Sequence, residues 1–419
     1  MRRFLLLPIV LILAAGCSEY SNPTALDDAI GFGAAAGGPQ FELYVMQLGD
    51  GPSSARAISD AGHVAGNLYD GYSQKPFIWT EAGGPRIVEV GSGFWSVEVM
   101  DVNTSGMLAL VMNSDSYVWS ADGGLLQIPS NTPYTYVRAL GNNGTAVGDA
   151  DWSVAWTWSQ EAGFQTLPGG YRPVAIDIND TGLIAGNLGT TSVFWHPDLS
   201  VEPIGYGYTK AMNNLGDTVG QTANRHAFVR LQGGTEIDIT PTAAYAEATA
   251  ISDSRIVVGR MRASNNWDVP NMPFYWTQET GTQLLPMTAE FDGGAAWDIN
   301  NDNTIVGWLD PVAGGGWRTA IWKMPAGPTT PEEALVEVVT MLEELIQTTS
   351  LSANNAGALI TKVESAAKKL AKNNPEGALG SLNAAINQIH AFMNAGKLSM
   401  TLGNDLIAAI QVAIDMITI

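Results

Sequence analysis

Histidine, the side chain that most often moves protons or binds metals at neutral pH, is rare in this 419-residue sequence. Its four copies are His63, His196, His226 and His390, and no two stand four residues apart as a metal-binding pair on one helix would. The sequence also lacks the H-E-x-x-H motif of zinc proteases and the G-x-S-x-G motif of serine hydrolases. We therefore expect structural roles for the histidines and predict no metal site, no cofactor and no catalytic residue.

Carboxylates are the other candidates for chemistry, because two of them can supply the acid and the base of glycoside hydrolysis. Asp149 with Asp151, and Glu89 with Glu98, are such pairs among 41 acidic residues. Their separation in space does not follow from the sequence, so a propeller-type polysaccharide hydrolase or lyase stays open as an alternative. Residues 300–303, Asn-Asn-Asp-Asn, lack the spacing and terminal glutamate of an EF-hand calcium loop and are predicted to form a turn.

The single cysteine, Cys17, follows a segment with the pattern of a secretion signal. Two arginines precede the apolar run of residues 4–15, which is shorter than the roughly 20 residues of a transmembrane helix. Residues 13–17, Leu-Ala-Ala-Gly-Cys, resemble the lipobox of bacterial lipoproteins, with alanine where leucine is commoner at the second position. The resemblance implies that residues 1–16 are a lipoprotein signal peptide and that the Cys17 thiol carries lipid.

Lipid at Cys17 would anchor the protein durably, since each buried methylene contributes about 0.8 kcal/mol and several chains act together. By analogy with lipoproteins of diderm bacteria, the serine at position 18 implies the outer membrane or the cell surface. Residues 17–40 are rich in glycine, alanine and proline without a sustained period, and we predict that they form a flexible tether. The expected membrane contact is thus the lipid alone.

Composition narrows the class of protein further. The chain contains 46 Gly and 13 Trp but only 15% charged residues, which is typical of a turn-rich β protein. Its formal net charge is −21. Nucleic acid is therefore excluded as an expected partner, because phosphate binding needs a basic surface.

Internal repetition shows how the chain is organised. One ten-residue unit, exemplified by residues 177–186, Asp-Ile-Asn-Asp-Thr-Gly-Leu-Ile-Ala-Gly, recurs at steps typical of four short strands per unit. The glycine and Asn/Asp positions predict a tight hairpin turn between the first two strands. The seven copies begin at Ala57, Asp101, Ala139, Asp177, Ala211, Ala250 and Asp298.

Each unit continues into an aromatic third strand, such as residues 77–79, Phe-Ile-Trp. In the fifth unit this strand begins His226-Ala227-Phe228, and the pattern resembles the HAF repeat of extracellular bacterial proteins. The resemblance covers residues 41–325. It implies an exported β-propeller-like array and brings no established reaction with it.

Seven four-stranded units predict a mainly β protein with a seven-bladed β-propeller, since ring closure removes the exposed sheet edges of an open array. The seventh unit stops after its third strand, whereas residues 41–48, Phe-Glu-Leu-Tyr-Val-Met-Gln-Leu, precede the first unit and have the pattern of a fourth strand. We therefore predict that the N-terminal strand 41–48 closes the last blade, and that the propeller spans residues 41–327.

The strand order divides the loops between two ends of the propeller. We name the strands of a blade a to d, so the d-to-a and b-to-c loops share one end and the a-to-b and c-to-d turns share the other. Aromatic residues concentrate at the first end, where their flat apolar surfaces suit sugar rings or a protein partner. The candidate binding face consists of Tyr69, Tyr72, Trp95, Tyr134, Trp152, Tyr171, Tyr208, Trp267 and Trp317.

The last 90 residues have the pattern of a small helical bundle. After residue 328 the glycine turns vanish and apolar residues recur at helical spacing, so we place a helical domain at residues 329–419. Thr330 followed by Pro331 and Glu333 predicts a capped helix start. Residues 385–393, Ala-Ile-Asn-Gln-Ile-His-Ala-Phe-Met, resemble the FIMAH domain at the C-termini of exported bacterial proteins, which has no known catalytic residues.

Two functional classes follow from these patterns. The favoured one is a non-enzymatic, membrane-anchored binding or scaffolding lipoprotein, whose propeller face engages an extracellular glycan or protein while the helical tail mediates assembly. The alternative is the polysaccharide hydrolase or lyase, which would need convergent acids or a His/Tyr/Arg cluster at the mouth of the propeller channel.

Overall fold

A computed structural model describes residues 41–324 and 330–418, apart from residues 47, 49, 50, 72, 131, 133, 267 and 349. The predicted signal peptide, Cys17 and the predicted tether lie outside these described residues, as do Tyr72 and Trp267 of the candidate face. The described chain contains twenty-eight strands followed by four helices.

The strands form seven four-stranded antiparallel sheets that are the blades of a β-propeller. In chain order, β1 is Glu42–Met46, and blade 1 comprises β2 (Ser53–Ile58), β3 (Val64–Asp70), β4 (Ser73–Thr80) and β5 (Gly84–Ile87). Blade 2 comprises β6 (Val97–Val102), β7 (Leu108–Met112), β8 (Asp115–Ser120) and β9 (Gly124–Gln127). Blade 3 comprises β10 (Thr135–Leu140), β11 (Ala146–Ala150), β12 (Val154–Ser159) and β13 (Gly163–Thr166).

The remaining blades follow the same order. Blade 4 comprises β14 (Pro173–Ile178), β15 (Ile184–Leu188), β16 (Thr191–Trp195) and β17 (Val201–Tyr206). Blade 5 comprises β18 (Tyr208–Met212), β19 (Thr218–Gln221), β20 (Ala227–Arg230) and β21 (Glu236–Asp238). Blade 6 comprises β22 (Tyr245–Ile251), β23 (Val257–Arg262), β24 (Met272–Thr277) and β25 (Gly281–Leu284), and blade 7 contains β26 (Phe291–Ile299), β27 (Ile305–Pro311) and β28 (Arg318–Lys323).

The N-terminal strand closes the ring, as the sequence predicts. β1 pairs antiparallel with β28 from Glu42 opposite Lys323 to Met46 opposite Thr319, so blade 7 combines both ends of the propeller. Phe41 packs edge-on against Tyr275 of blade 6, with 5.1 Å between ring centroids. The predicted seven-bladed fold with this closing strand is confirmed.

Blades pack through the aromatic c strands, which explains the strongest signal of the repeat. Trp156, Trp195 and Trp322 are fully buried, and the fifth blade uses Phe228 in the same way. The Trp195 and Trp322 indole nitrogens donate hydrogen bonds to the carbonyl oxygens of Pro168 (2.6 Å) and Pro286 (2.8 Å) in the preceding blades. Each of these four rings adds a large apolar surface, and Trp195 and Trp322 also satisfy their indole nitrogens. The buried indole nitrogen of Trp156 has no hydrogen-bond partner within the described residues.

The C-terminal elements are helices α1 (Pro331–Gln347), α2 (Ala353–Leu370), α3 (Pro375–Asn394) and α4 (Met400–Thr418). The predicted cap of α1 is present, since the Thr330 hydroxyl accepts a hydrogen bond from the backbone N–H of Glu333 at 3.2 Å. One apolar core joins the four helices and includes Leu335, Val338 and Ile389. Within the described residues, no helix has the length and apolar character needed to cross a membrane.

Candidate functional site

The seven a strands line the central channel of the propeller, and each carries a β-bulge at the same place. The register of every a–b pair shifts one residue before the first position of the repeat, as at Arg56 between Ala55 and Ala57. The bulge leaves this residue unpaired in its ladder and more accessible than its buried neighbours. The seven bulge residues are Arg56, Met100, Arg138, Ile176, Lys210, Thr249 and Trp297.

The closing glycines of the repeat lie opposite these bulges. A Cβ atom added at Gly186 would come within 2.1 Å of the Val174 carbonyl oxygen, and one at Gly307 within 2.0 Å of the Ala295 carbonyl oxygen. Real Cβ atoms do not approach a backbone so closely. Glycine therefore recurs in six of the seven copies because it permits the bulged a strand to pack against strand b.

The first position of the repeat fastens neighbouring blades together where aspartate occupies it. The Asp298 carboxylate accepts hydrogen bonds from the backbone N–H of Ile299 (2.9 Å) and of Ile58 in blade 1 (2.8 Å). Asp101 binds Leu140 of blade 3 in the same way, at 2.7 Å. Asp177 likewise binds Met212 of blade 5, at 2.7 Å.

Each of these aspartates faces an alanine at the same repeat position in the next blade around the ring. Aspartate and alanine cannot alternate strictly at this position around a ring of seven blades, because seven is an odd number. Blade 6 interrupts the alternation, since Ala250 follows the alanine of blade 5. There the hydroxyl of the bulge residue Thr249 donates a hydrogen bond to the Ala296 carbonyl oxygen of blade 7 at 2.9 Å. A different side chain thus links the blades where the alternation fails.

The a-to-b turns add a second layer of contacts between blades. The Asn300 side chain donates to the Ser59 carbonyl oxygen at 3.1 Å, which joins blade 7 to blade 1. The Asn213 side chain donates to the Ser252 carbonyl oxygen at 3.0 Å, and its own amide oxygen closes the turn by accepting from Asp217 at 2.9 Å. The polar residues that the sequence assigns to turn chemistry therefore also hold the ring together.

These contacts surround a polar cavity of about 160 Å³ at the a-to-b mouth of the channel, bordered by Asp101, Asp177 and Asp298. Burial raises the pKa of Asp298 to about 7, although its two backbone donors lower it. Burial also raises the pKa of Asp101 well above its ordinary value, and the nearby Asp298 charge adds to that shift. Because each carboxylate already accepts two backbone N–H groups, we assign the three aspartates to ring stability.

The predicted aromatic face lies at the opposite end, in the loops before the a strands and between strands b and c. Its described members do not form one continuous surface. Tyr69 and Trp317 pack edge to face across the closing seam at 6.0 Å, and Trp317 also lies 5.2 Å from Trp308. Trp95 and Tyr134 are exposed in loops that precede β6 and β10.

Three other members of the face converge on a cleft of about 570 Å³ beside the channel. Trp152 is 52% exposed, Tyr171 76% and Tyr208 44%. They come from blade 3, the loop before blade 4 and the start of blade 5. Further lining residues are Arg138, Arg172, Val174, Ile176, Asn187, Leu188, Gly189, Thr190, Thr209, Lys210 and Gln221.

Three bulky residues at or near this cleft have positive φ, as do eight other non-glycine residues in the described chain. Trp152 has φ 54°, Arg172 has φ 52°, and Tyr134, whose carbonyl oxygen accepts from Asp151, has φ 58°. The b-to-c turns of blades 1 and 4 place Gly71 and Gly189 in this left-handed region instead. A bulky residue in this region costs about 1–2 kcal/mol. The exposed Trp152 ring contacts the Arg172 guanidinium, which lies 5.4 Å from the ring centroid.

The basic residues of the cleft are the part that the sequence analysis missed. Arg138 and Lys210 are bulge residues, and Arg172 adjoins Tyr171 in the loop before β14. The signal that could have found the first two is their position immediately before the first residue of the repeat. Because the bulge exists only in the paired strands, the sequence does not show which repeat position faces the channel.

The histidines and acid pairs remain dispersed. His63 contacts Ser59, His196 contacts Glu202 and His226 contacts Asp238, each within its own blade. Asp149 is buried and pairs with Arg138 at 2.8 Å, which orients that guanidinium at the cleft. No group of three or more His, Cys, Asp or Glu side chains suited to a metal ion occurs in the described part of the chain.

The fold is that of a seven-bladed β-propeller with a C-terminal four-helix region. No protein-family model matches the sequence, and no curated protein matches it. Among solved structures, a virginiamycin B lyase from Staphylococcus aureus shares 11% identity, with 68% of this chain and 99% of that chain covered and a TM-score of 0.49.

Two further solved structures resemble the chain distantly. A streptogramin B lyase shares 14% identity over 67% of this chain and 97% of that chain, with a TM-score of 0.48. The β-propeller domain of the Trilobed protease from Pyrococcus furiosus shares 11% identity over 65% of this chain and 95% of that chain, with a TM-score of 0.43. Identities this low say nothing about a shared ligand or reaction.

Proposed function

We propose that this protein is an exported, membrane-anchored binding lipoprotein, and that the cleft between blades 3 and 5 binds a glycan outside the cell. The observation that carries the proposal is the cleft itself, in which Trp152, Tyr171 and Tyr208 present exposed rings around a concave surface. Aromatic rings stack on the apolar faces of sugars and lose little conformational entropy when a ligand immobilises them. The sequence features of the N-terminus support the anchor.

Strain strengthens the proposal for the cleft. A tryptophan that is both solvent-exposed and held at positive φ lowers the stability of the free protein. Contact of its ring with a ligand would explain why tryptophan occupies this position. A catalytic role has weaker support, since the channel aspartates are engaged with backbone N–H groups of adjoining blades. We therefore favour binding over hydrolysis or elimination.

Replacing Trp152 by glycine should separate binding from stability. Glycine adopts φ 54° without strain, so we expect the melting temperature to stay the same or rise. We expect the affinity for the glycan to fall at least about tenfold, because an anchoring aromatic side chain contributes more than roughly 1 kcal/mol. Screening neutral and acidic hexasaccharides by affinity electrophoresis, followed by calorimetry with the best of them, would measure both effects.

The matched control is Trp95→Ala. Trp95 is 74% exposed at the same end of the propeller but does not line the cleft, so its removal should leave affinity unchanged. Equal affinities of the intact protein and Trp152→Gly for every hexasaccharide that binds would contradict a ligand site in this cleft.

The anchor has its own test. We expect Cys17→Ser to move the protein from the membrane fraction to the soluble fraction of the producing cell and to abolish incorporation of radiolabelled palmitate, because the thiol is the group acylated. Ser18→Ala is the control, and it should keep both. A Cys17→Ser protein that still sedimented with membranes would argue for a different mode of attachment.

A further inference from the structure

The charge of the cleft differs from that of the protein as a whole. The chain has 41 Asp and Glu residues against 20 Lys and Arg, yet the lining of the cleft includes three cations and no carboxylate. Such a local excess of positive charge attracts anions even when the net charge of the protein is negative.

Two of the three cations have little neutralisation from the protein. Lys210 approaches Glu247 only at 4.0 Å, and that carboxylate already pairs with Arg260 at 2.8 Å. Arg172 forms no ion pair with a carboxylate among the described residues, and its guanidinium lies over the Trp152 ring at 5.4 Å from the centroid. A cation stacked on an aromatic ring keeps its hydrogen-bond donors free at the ring edge.

The third cation, Arg138, is held in place by an ion pair within the protein. Arg138 uses its Nε to bind the buried Asp149, so its position is set while its charge is balanced. Thr209 lies in the same wall, and its buried hydroxyl has no hydrogen-bond partner in the described part of the chain. Such a hydroxyl is unfavourable by about 1–3 kcal/mol, but its burial keeps it out of contact with the interior of the cleft, so Arg172 and Lys210 are the charged groups available to a ligand.

From these contacts we infer that the cleft recognises an acidic glycan, with a uronate ring against Trp152 and Tyr171 and its carboxylate between Arg172 and Lys210. This inference rests on the proposed glycan binding and adds the charge of the ligand. Arginine matches a carboxylate with two parallel hydrogen bonds, and charge-assisted bonds are about twice as strong as neutral ones. A neutral sugar would leave both cations without a counter-charge.

The decisive experiment compares one sugar chain with and without its charge. The mature protein is titrated calorimetrically with hexagalacturonate and with the fully methyl-esterified form, which keeps every ring and removes every carboxylate charge. We expect the acid form to bind at least about tenfold more tightly at low ionic strength, and we expect added salt to reduce the difference. Arg172→Gln and Lys210→Gln should each remove most of that preference, while Lys372→Gln, an exposed site in the helical domain, should retain it.

The outcomes distinguish the two proposals. Equal binding of both forms, with loss of both in Trp152→Gly, would overturn the inference of an acidic ligand and leave glycan binding in place. Binding of neither form, together with no binding in the hexasaccharide screen, would overturn both. Binding of hexaglutamate but of no sugar would also overturn both, because it would identify an acidic peptide as the ligand.

Discussion

Deletion of residues 41–48 should abolish the cooperative unfolding transition of the propeller. β1 is the outer strand of blade 7, and without it the edge of β28 is left unpaired beside the fully buried Trp322. Leu43 packs into the core between blades 6 and 7, and Met46 packs into the core between blades 7 and 1. Burial of a large apolar side chain is worth about 1.5–3 kcal/mol, so the deletion costs on the order of 5 kcal/mol or more.

That loss is comparable with the whole stability of a typical domain, about 5–15 kcal/mol. Tryptophan fluorescence reports the transition selectively, because all 13 tryptophans precede residue 323. The exposed edge of β28 should in addition make the shortened protein associate. Both effects are visible in urea titrations combined with light scattering.

Deletion of residues 18–40 is the control for this experiment, since the predicted tether should contribute nothing to the transition. A chain without residues 41–48 that unfolded at the same urea concentration as the control would show that the ring stays closed without its N-terminal strand. Addition of a synthetic peptide of residues 41–48 should restore the lost transition, because the strand needs only its partner edge to pair.

Asp298→Asn is expected to change how the stability of the propeller depends on pH. The pKa of Asp298 is about 7 in the folded protein and near 3.8 in an unfolded chain, so the fold retains a proton that the unfolded chain has lost. This proton stabilises the folded protein to its full extent below about pH 4, and the stabilisation is lost as the pH rises to about 7. It amounts to at most about 4 kcal/mol, because Asp298 borders a cavity that water can enter.

The asparagine variant lacks this titration. The variant should lose a constant amount of stability at every pH, because its contact with the Ile58 backbone N–H is weaker. Its free energy of unfolding relative to that of the intact protein should nevertheless increase by several kcal/mol between pH 4 and pH 8. Urea titrations followed by tryptophan fluorescence at pH 4, 5.5, 7 and 8 would measure it. Asp122→Asn, in an exposed turn of blade 2, removes the same charge and should give a constant difference. Parallel curves for both variants would mean that Asp298 is ionised throughout this range.

The architecture followed from the sequence because its signals are local and repeated. A four-strand unit needs its turn glycines and an aromatic c strand, and seven copies make the pattern unmistakable. The closing strand was predictable for a related reason, since the seventh unit lacks a fourth strand and residues 41–48 have no other partner. The helical domain followed from its periodicity and from the Thr330 cap.

The candidate site was only half predictable. Aromatic residues in the loops marked the end of the propeller that carries the candidate cleft, and the strand order alone placed them there. Their division into a seam cluster around Trp317 and a cleft around Trp152 was not visible, because it depends on how far each loop reaches over neighbouring blades. The strain at Trp152 and Arg172 is likewise a property of backbone angles that no residue type reveals.

The sequence by itself determined the blades, their number and the strand that closes them, because hydrophobic pattern and turn chemistry act over a few residues. Only the tertiary structure decided which repeat positions face the channel, since a bulge arises from the pairing of two strands. It also brought together cations as far apart in the chain as Arg138 and Lys210, and it turned the repeat aspartates into links between blades. Charges and hydrogen bonds act across space, so their partners depend on the closed ring.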